Sequence, residues 1–288
     1  MIDSLISDDT MNERKKLKDQ PDGKIVDHIY SYESLMQSDD IYYVGDSKYY
    51  KEGNAPDEYS IFKQFTYVRN VIQMNMELWK VPHGKIGRAN YYDSMTEGYN
   101  ISPNFFIRGL IEIDKTKADE KGRINYNNIY LKPEKKLVDG NEVFNVESKI
   151  HHPNRLFDRD TLFVQKYSIN FLYVLTEYAA SKTDPSFQKR IHKLFRRNII
   201  EWLKNHYSFY QLEFDKQEQR EDFLNRNFRK LIGKLYHFDD TLILALSKDS
   251  ESEDDNDDIL NNIIAKETYC RRNDYSFLDT ESEESIIS

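Results

Sequence analysis

Between residues 24 and 79 the hydrophobic period of the chain switches, and that switch limits the folds open to it. The runs "KIVDHIYSY" and "DIYYVGDSKYY" are dense in Ile, Val and Tyr, residue types that fit a pleated, half-buried strand. After a break at "GNAPDEYS", Ile61, Phe65, Val68, Ile72 and Met76 recur at three- and four-residue steps, which is the stripe of an amphipathic helix. Two strands followed at once by a one-faced helix imply a sheet with a helix laid over it. Further along, "NFFIRGLIEID", "NNIYLKP", "EVFNVESKI" and "TLFVQKY" read as strands. "SINFLYVLTEYAA", "PSFQKRIHKLFRRNIIEWLKNHY" and "QREDFLNRNFRKLIGKLY" read as helices, and "DDTLILAL" as a last strand. Strands and helices in irregular alternation predict an α/β fold with a central mixed sheet flanked by helices.

The charge is divided unevenly. The net charge is −9 over 288 residues; residues 248–288 hold 13 acids and 4 bases, and the other 247 residues hold 37 of each. The body is therefore neutral, which leaves contact with nucleic acid open, and 248–288 is expected to be an acidic, disordered tail. Residues 23–247 are expected to form the folded domain, and 1–22 a polar lead. No apolar run approaches the roughly 20 residues of a membrane-spanning helix, and no secretory h-region is visible. A single cysteine, Cys270, excludes an internal disulfide and a cysteine-rich zinc site. A soluble, cytoplasmic protein is the expectation.

The chemistry concentrates at "VGDSK". Residues two apart on a strand share a face, so Asp46 and Lys48 project together and Ser47 points away. With Asp27 lying across the hairpin, two carboxylates and an ammonium would converge. Two carboxylates with a backbone carbonyl suit Mg²⁺, and a lysine beside them can orient water and stabilise charge on an attacked phosphate. The reaction this favours is metal-assisted hydrolysis of a phosphodiester.

Asp27, then "Asp46-Ser47-Lys48" at the end of the next strand, then Gln64 on the following helix resembles the PD-(D/E)xK nuclease superfamily. Over about residues 21–245 the chain resembles the LlaJI family of restriction endonucleases, related to the nuclease subunits of GTP-dependent McrBC-type systems, through "KIVDHIY", "YYVGDSKYYK", "FKQFTYV" and "HPNRLFDRDTLFVQKYSINFLYVL". The resemblance implies a restriction-endonuclease-like fold and a Mg²⁺-dependent endodeoxyribonuclease of a restriction system. In it Asp27 and Asp46 hold the metal, Lys48 positions water or phosphate, and Gln64 supports the metal-bound water. The implied partners are double-stranded DNA, a separate McrB-like GTPase and a second copy of the chain. The alternative is a non-catalytic DNA-binding or interaction subunit that keeps the fold. Val26 rather than proline precedes Asp27, with "Pro21-Asp22" as another first acid. Tyr67 follows Gln64 by three residues where related motifs place tyrosine at four. Only 26 residues precede Asp27, too few for the helix that the superfamily usually places there, so the lead is expected to be truncated.

Acid-x-lysine recurs at Asp22–Lys24, Asp119–Lys121, Glu134–Lys136 and Glu147–Lys149. The last, after the strand-like "EVFNV", is the serious rival, although no Gln-bearing helix follows it. Candidate phosphate contacts are Arg155 and Arg159 in "NRLFDRD", and Lys189, Lys193, Arg196 and Arg197 on the long helix.

Overall fold

In a computed structural model of the chain, the described residues are 27–36, 40–48, 58–79, 101–111, 131–138, 140–144, 146–149, 152, 154–159, 161–172, 174–175, 185–238 and 241–277. The segments 1–22 and 278–288, the pairs Asp22–Lys24 and Asp119–Lys121, and most of "LYVLTEYAA" lie outside them.

The expected strand pair forms as β1 (His28–Glu33) and β2 (Asp40–Lys48), antiparallel, with Tyr30 opposite Tyr43. The 3.6-residue stripe becomes α1 (Glu58–Trp79), whose Phe65, Tyr67 and Val68 are buried against the sheet. The strand β3 (Asn104–Leu110) then pairs in parallel with β2. Three short strands follow, β4 (Leu131–Pro133), β5 (Lys135–Val138) and β6 (Asn141–Phe144). The last two form a hairpin whose turn uses Gly140 at φ 81°, a backbone region that glycine enters without steric cost. β7 (Val146–Lys149) and β8 (Leu162–Asn170) complete a six-stranded mixed sheet. Its order is β1-β2-β3-β8-β4, with β7 also on β8; β2, β3 and β8 run parallel at its centre. The α/β class and the mixed central sheet are therefore as the sequence predicts.

The long helix α2 (Pro185–His206) covers the face opposite α1. Its Phe195 stacks on Phe105 at 4.2 Å between ring centroids, and its His192 on Tyr30 at 3.8 Å. Without a break the chain enters β9 (Tyr207–Phe214), then α3 (Gln217–Leu231), β10 (Leu235–Phe238) and β11 (Thr241–Ser247). A 3₁₀ turn (Ser250–Ser252), α4 (Glu253–Asp257), a π-helical turn (Asp258–Ile264) and β12 (Cys270–Asp274) follow. A second, antiparallel sheet is thereby ordered β10-β11-β9-β12.

This overturns two expectations. The folded region does not close at residue 247, because β12 pairs with β9 and the second sheet spans that boundary. Nor is 248–277 a disordered tail: Ile259 and Ile264 are buried in the second sheet's core, and three of its acids meet bases of α3 and of the turn after it. Asp258 pairs with Lys230 at 2.9 Å, Glu267 with Arg226 at 2.8 Å, and Asp255 with Lys234 at 3.3 Å. Acidic charge that would repel itself in isolation is neutralised by a helix that precedes it in the chain.

Candidate active site

Asp46 lies near the carboxyl end of β2 and is only 3% exposed. β1 brings the other acid to it. His28 pairs with Gly45, so Asp27 falls where the ladder's next position, opposite Asp46, would be. The Ser47 N–H donates to Asp27 Oδ2 at 3.0 Å and fixes that carboxylate on the end of β2. A carboxylate has about four lone-pair sites, so this bond leaves it acceptor capacity. On the opposite face His28 bonds through Nε2 to Ser47 Oγ and stacks on Phe105. The histidine is a packed, fully buried group that ties the two strand ends together.

Parallel pairing across β2, β3 and β8 sets two further rows. Asp46 is in register with Phe106, and Phe106 with Lys166; Lys48 is in register with Arg108, and Arg108 with Ser168. Residues in register on neighbouring strands share a face, so Lys166, 7% exposed, stands two strands away from Asp46 on the same side. Glu134, just past β4, closes the far edge. Its N–H donates to the Lys166 carbonyl at 2.8 Å, and its Oε1 accepts from Ser168 Oγ at 2.6 Å. The same oxygen lies 3.0 Å from Arg108 Nε, a charge contact without hydrogen-bond alignment. Charged and polar groups thus collect at the carboxyl ends of three parallel strands, where open α/β sheets commonly form their crevices.

From above, α1 supplies Gln64, which is fully buried. Its Nε2 donates to Asn104 Oδ1 at 2.7 Å. That pairing leaves Gln64 Oε1 and Asn104 Nδ2 buried without a hydrogen-bond partner, at a cost of about 1–3 kcal/mol each if nothing meets them. Asp27, Asp46 and the Gln64 carbonyl oxygen are all oxygen donors, the chemistry that a hard divalent cation takes. Among the described residues no group of three or more His, Cys, Asp or Glu converges, so a cation here would rest on two carboxylates and an amide oxygen.

Of the residues singled out in the sequence, Asp27 and Asp46 stand at the end of the β1–β2 pair, Gln64 reaches the same face at Asn104, the first residue of β3 and in register with Val44, and Lys48 occupies the last position of β2. Tyr67 is core, buried with Phe65 and Val68. The rival Glu147 sits on β7 opposite Val164, and turns at 154–159 rather than a helix come after it. Glu134 of the Glu134–Lys136 pair serves the Arg108 and Ser168 contacts above.

The basic candidates divide. Lys189 and Arg197 are exposed on α2 with Lys193 between them, half-buried. Arg196 does not belong to that row: it is 4% exposed and its Nη2 donates to the Ser34 carbonyl at 3.2 Å. A guanidinium held inside the fold is unavailable to DNA phosphate. Arg155 and Arg159 lie in the turn before β8, half-buried and exposed respectively. Sequence reasoning missed Asn104, Arg108 and Lys166. The available signal was a polar side chain at the start of "NFFIR" and charged ones inside "NFFIR" and "FVQKYS", where a buried strand should be apolar.

Compared with protein-family models, with curated proteins and with solved structures, the chain matches none.

Proposed function

We propose that the chain is a Mg²⁺-dependent endodeoxyribonuclease with a restriction-endonuclease-like fold, acting in a restriction system on double-stranded DNA. One observation carries this reading: Asp27, fixed by the Ser47 N–H at the end of β2, and the buried Asp46 of that strand lie on the sheet face under α1, whose Gln64 carries an unpartnered, buried carbonyl oxygen. Asp27, Asp46 and Gln64 would hold the cation. Bound there, it would supply Lewis-acid polarisation of a phosphodiester and acidify a water.

The remaining work falls to the chain's own groups. The Ser47 N–H orients Asp27, and the Gln64–Asn104 bond orients the amide. Lys48 positions the attacking water or the phosphate; Arg108, in register with it on β3, is paired with Glu134. Lys189, Lys193 and Arg197 on α2, with Arg155 and Arg159, are the proposed phosphate contacts. A homodimer and a McrB-like GTPase are the proposed partners.

Plasmid cleavage with Mg²⁺, run with and without a GTPase encoded beside this chain, tests the reading. Asp46→Ala and Lys48→Ala should each lower the rate by at least about a hundredfold, the scale of losing a charge-stabilising or acid–base group. Equal cutting by wild type and both variants would sink it.

The second reading, a DNA-binding or interaction subunit without catalysis, draws on the burial of Asp46 beneath α1. DNA binding that persists while calorimetry detects no Mg²⁺ uptake would favour it.

A further inference from the structure

Beside the second sheet lies an open cleft of about 370 Å³ built from three separate parts of the chain. The turn before β8 supplies Arg155, the last turn of α3 supplies Arg229 and Lys230, and the residue ahead of β10 supplies Lys234. Among the described residues of the lining the carboxylates are Glu251 and Asp255. Two of the four cations are met by acids, Lys234 by Asp255 in the lining and Lys230 by Asp258 just outside it, which leaves Arg155 and Arg229 against Glu251. Asp255 is engaged by Lys234 and by the amide of Asn154, at 3.3 and 2.9 Å. Lys230 is engaged by Asp258 at 2.9 Å. Arg155 and Arg229 enter no ion pair among the described residues.

The cleft is also built rather than incidental. The Lys234 side chain is 8% exposed; burial lowers its pKa, Arg155 and Lys230 repel it in the same direction, and Asp255 opposes them. Its neighbour Gly233 has φ 70°, and a Cβ there would fall 2.8 Å from Arg155 Cβ. The stem of Arg155 therefore lies directly on a backbone that only glycine leaves bare. Two hydrogen bonds hold that arrangement, Thr161 Oγ1 to the Arg155 carbonyl at 2.7 Å and the Phe157 N–H to the Gly233 carbonyl at 2.8 Å. Like charges gathered on a fixed frame cost stability unless an anion meets them.

The geometry points to a second binding site in this cleft, for a phosphate monoester carried on a nucleotide-sized group, with Arg155 and Arg229 taking the phosphate oxygens. A monoester near neutral pH carries roughly two negative charges, one for each of the two guanidiniums, Arg155 and Arg229, that enter no ion pair among the described residues, whereas a backbone diester carries one. The volume lies at the small end of ligand sites, about 300–1,000 Å³. A free mononucleotide and the phosphorylated end of a nucleic-acid strand offer the same group. The inference does not depend on the chemistry proposed for Asp46, and it takes Arg155 from the proposed DNA contacts and assigns it to this cleft.

Calorimetric titration of the full chain decides it, with AMP, adenosine, and a short oligonucleotide with and without a 5′-phosphate as probes. AMP should bind and adenosine should bind at least about tenfold more weakly, the scale of a charge-assisted pair. R155Q and R229Q should each weaken AMP about tenfold, E251Q should tighten it by removing a competing carboxylate, and D46A should leave it unchanged. A phosphorylated oligonucleotide that binds like AMP assigns strand ends as the ligand, and one that is excluded assigns free nucleotides. Adenosine binding as well as AMP, or R229Q and E251Q both binding AMP as the wild type does, would overturn the site. Arg229 and Glu251 are exposed, so their variants remain informative should R155Q fail to fold.

Discussion

Gly45 interrupts a run of apolar and aromatic residues because Phe105 needs its space. The two residues are in register, and a Cβ on Gly45 would collide with the Phe105 ring, which is itself held between His28 and Phe195. The ring cannot retreat. Gly45→Ala should therefore destabilise the fold by about 1–3 kcal/mol, the range for overpacking a filled core. A lower urea midpoint with unchanged slope checks this, and an unchanged midpoint would show that β2 and β3 separate freely. Because Asp46 is the next residue, any adjustment of β2 would also move the carboxylate.

At this scale the sequence was informative where an unusual residue stood in a strand-like run. Asp27 and Asp46 were legible for that reason. Asn104 and Lys166 stood in similar runs but passed as parts of strands, since nothing local reveals which register will bring Asn104 beside Gln64 or set Lys166 on the face of Asp46. Arg196 shows the reverse: helical spacing placed it on a basic face, and only the carbonyl of Ser34, 162 residues away in sequence, turns it inward.

Among the elements, the segment from the 3₁₀ turn to β12 is the one whose composition misleads most. Seven acids between Asp249 and Asp258 read as a solvated run, yet Asp258 meets Lys230 of α3 and Asp255 meets Lys234 just after that helix, on the other side of β10 and β11 in the chain. Arg226 holds the Glu267 carboxyl below its ordinary range, and Lys230 and Asn262 do the same for Asp258. A carboxylate with a depressed folded pKa stabilises the fold above its unfolded pKa, near 4, and that contribution is lost as the pH falls through the folded value. Amide exchange along β12 should therefore accelerate below about pH 4 before exchange along β11 does. Arg226→Gln should weaken that pH dependence; β12 and β11 opening together at every pH would contradict it. β9 was likewise invisible, since it begins directly where α2 stops and the helical stripe gives no warning of the change. The opposite error came at α3, read as helical through Tyr236, where Gly233 at φ 70° ends it and Leu235 starts a strand.

For the molecule as a whole, the two sheets share a core. Leu203 of α2 is fully buried in a cluster that joins Met36 and Phe163 from the first sheet's side to Phe209, Ile243 and Ala245 of the second. Leu203→Ala should cost about 2–5 kcal/mol. Both sheets should still melt in one transition, with tryptophan fluorescence and far-ultraviolet circular dichroism superimposing. Separate transitions would mean that α2 only links the sheets.

The central parallel strands also set a timetable for synthesis. β2 emerges early with only β1 beside it, while β3 and β8, which complete the middle of that sheet, end at Leu110 and Asn170. Until the ribosome has passed Asn170 the open edge of β3 has no partner, and until it has passed His206 the face carrying Phe105 has no cover. The second sheet draws all of its strands from residues 207–274, so its pairings close over short loops and form with little delay. The later-made of the two sheets is thus the one that can fold sooner after its synthesis, and the acidic end of the site waits longer, held as an unfinished edge.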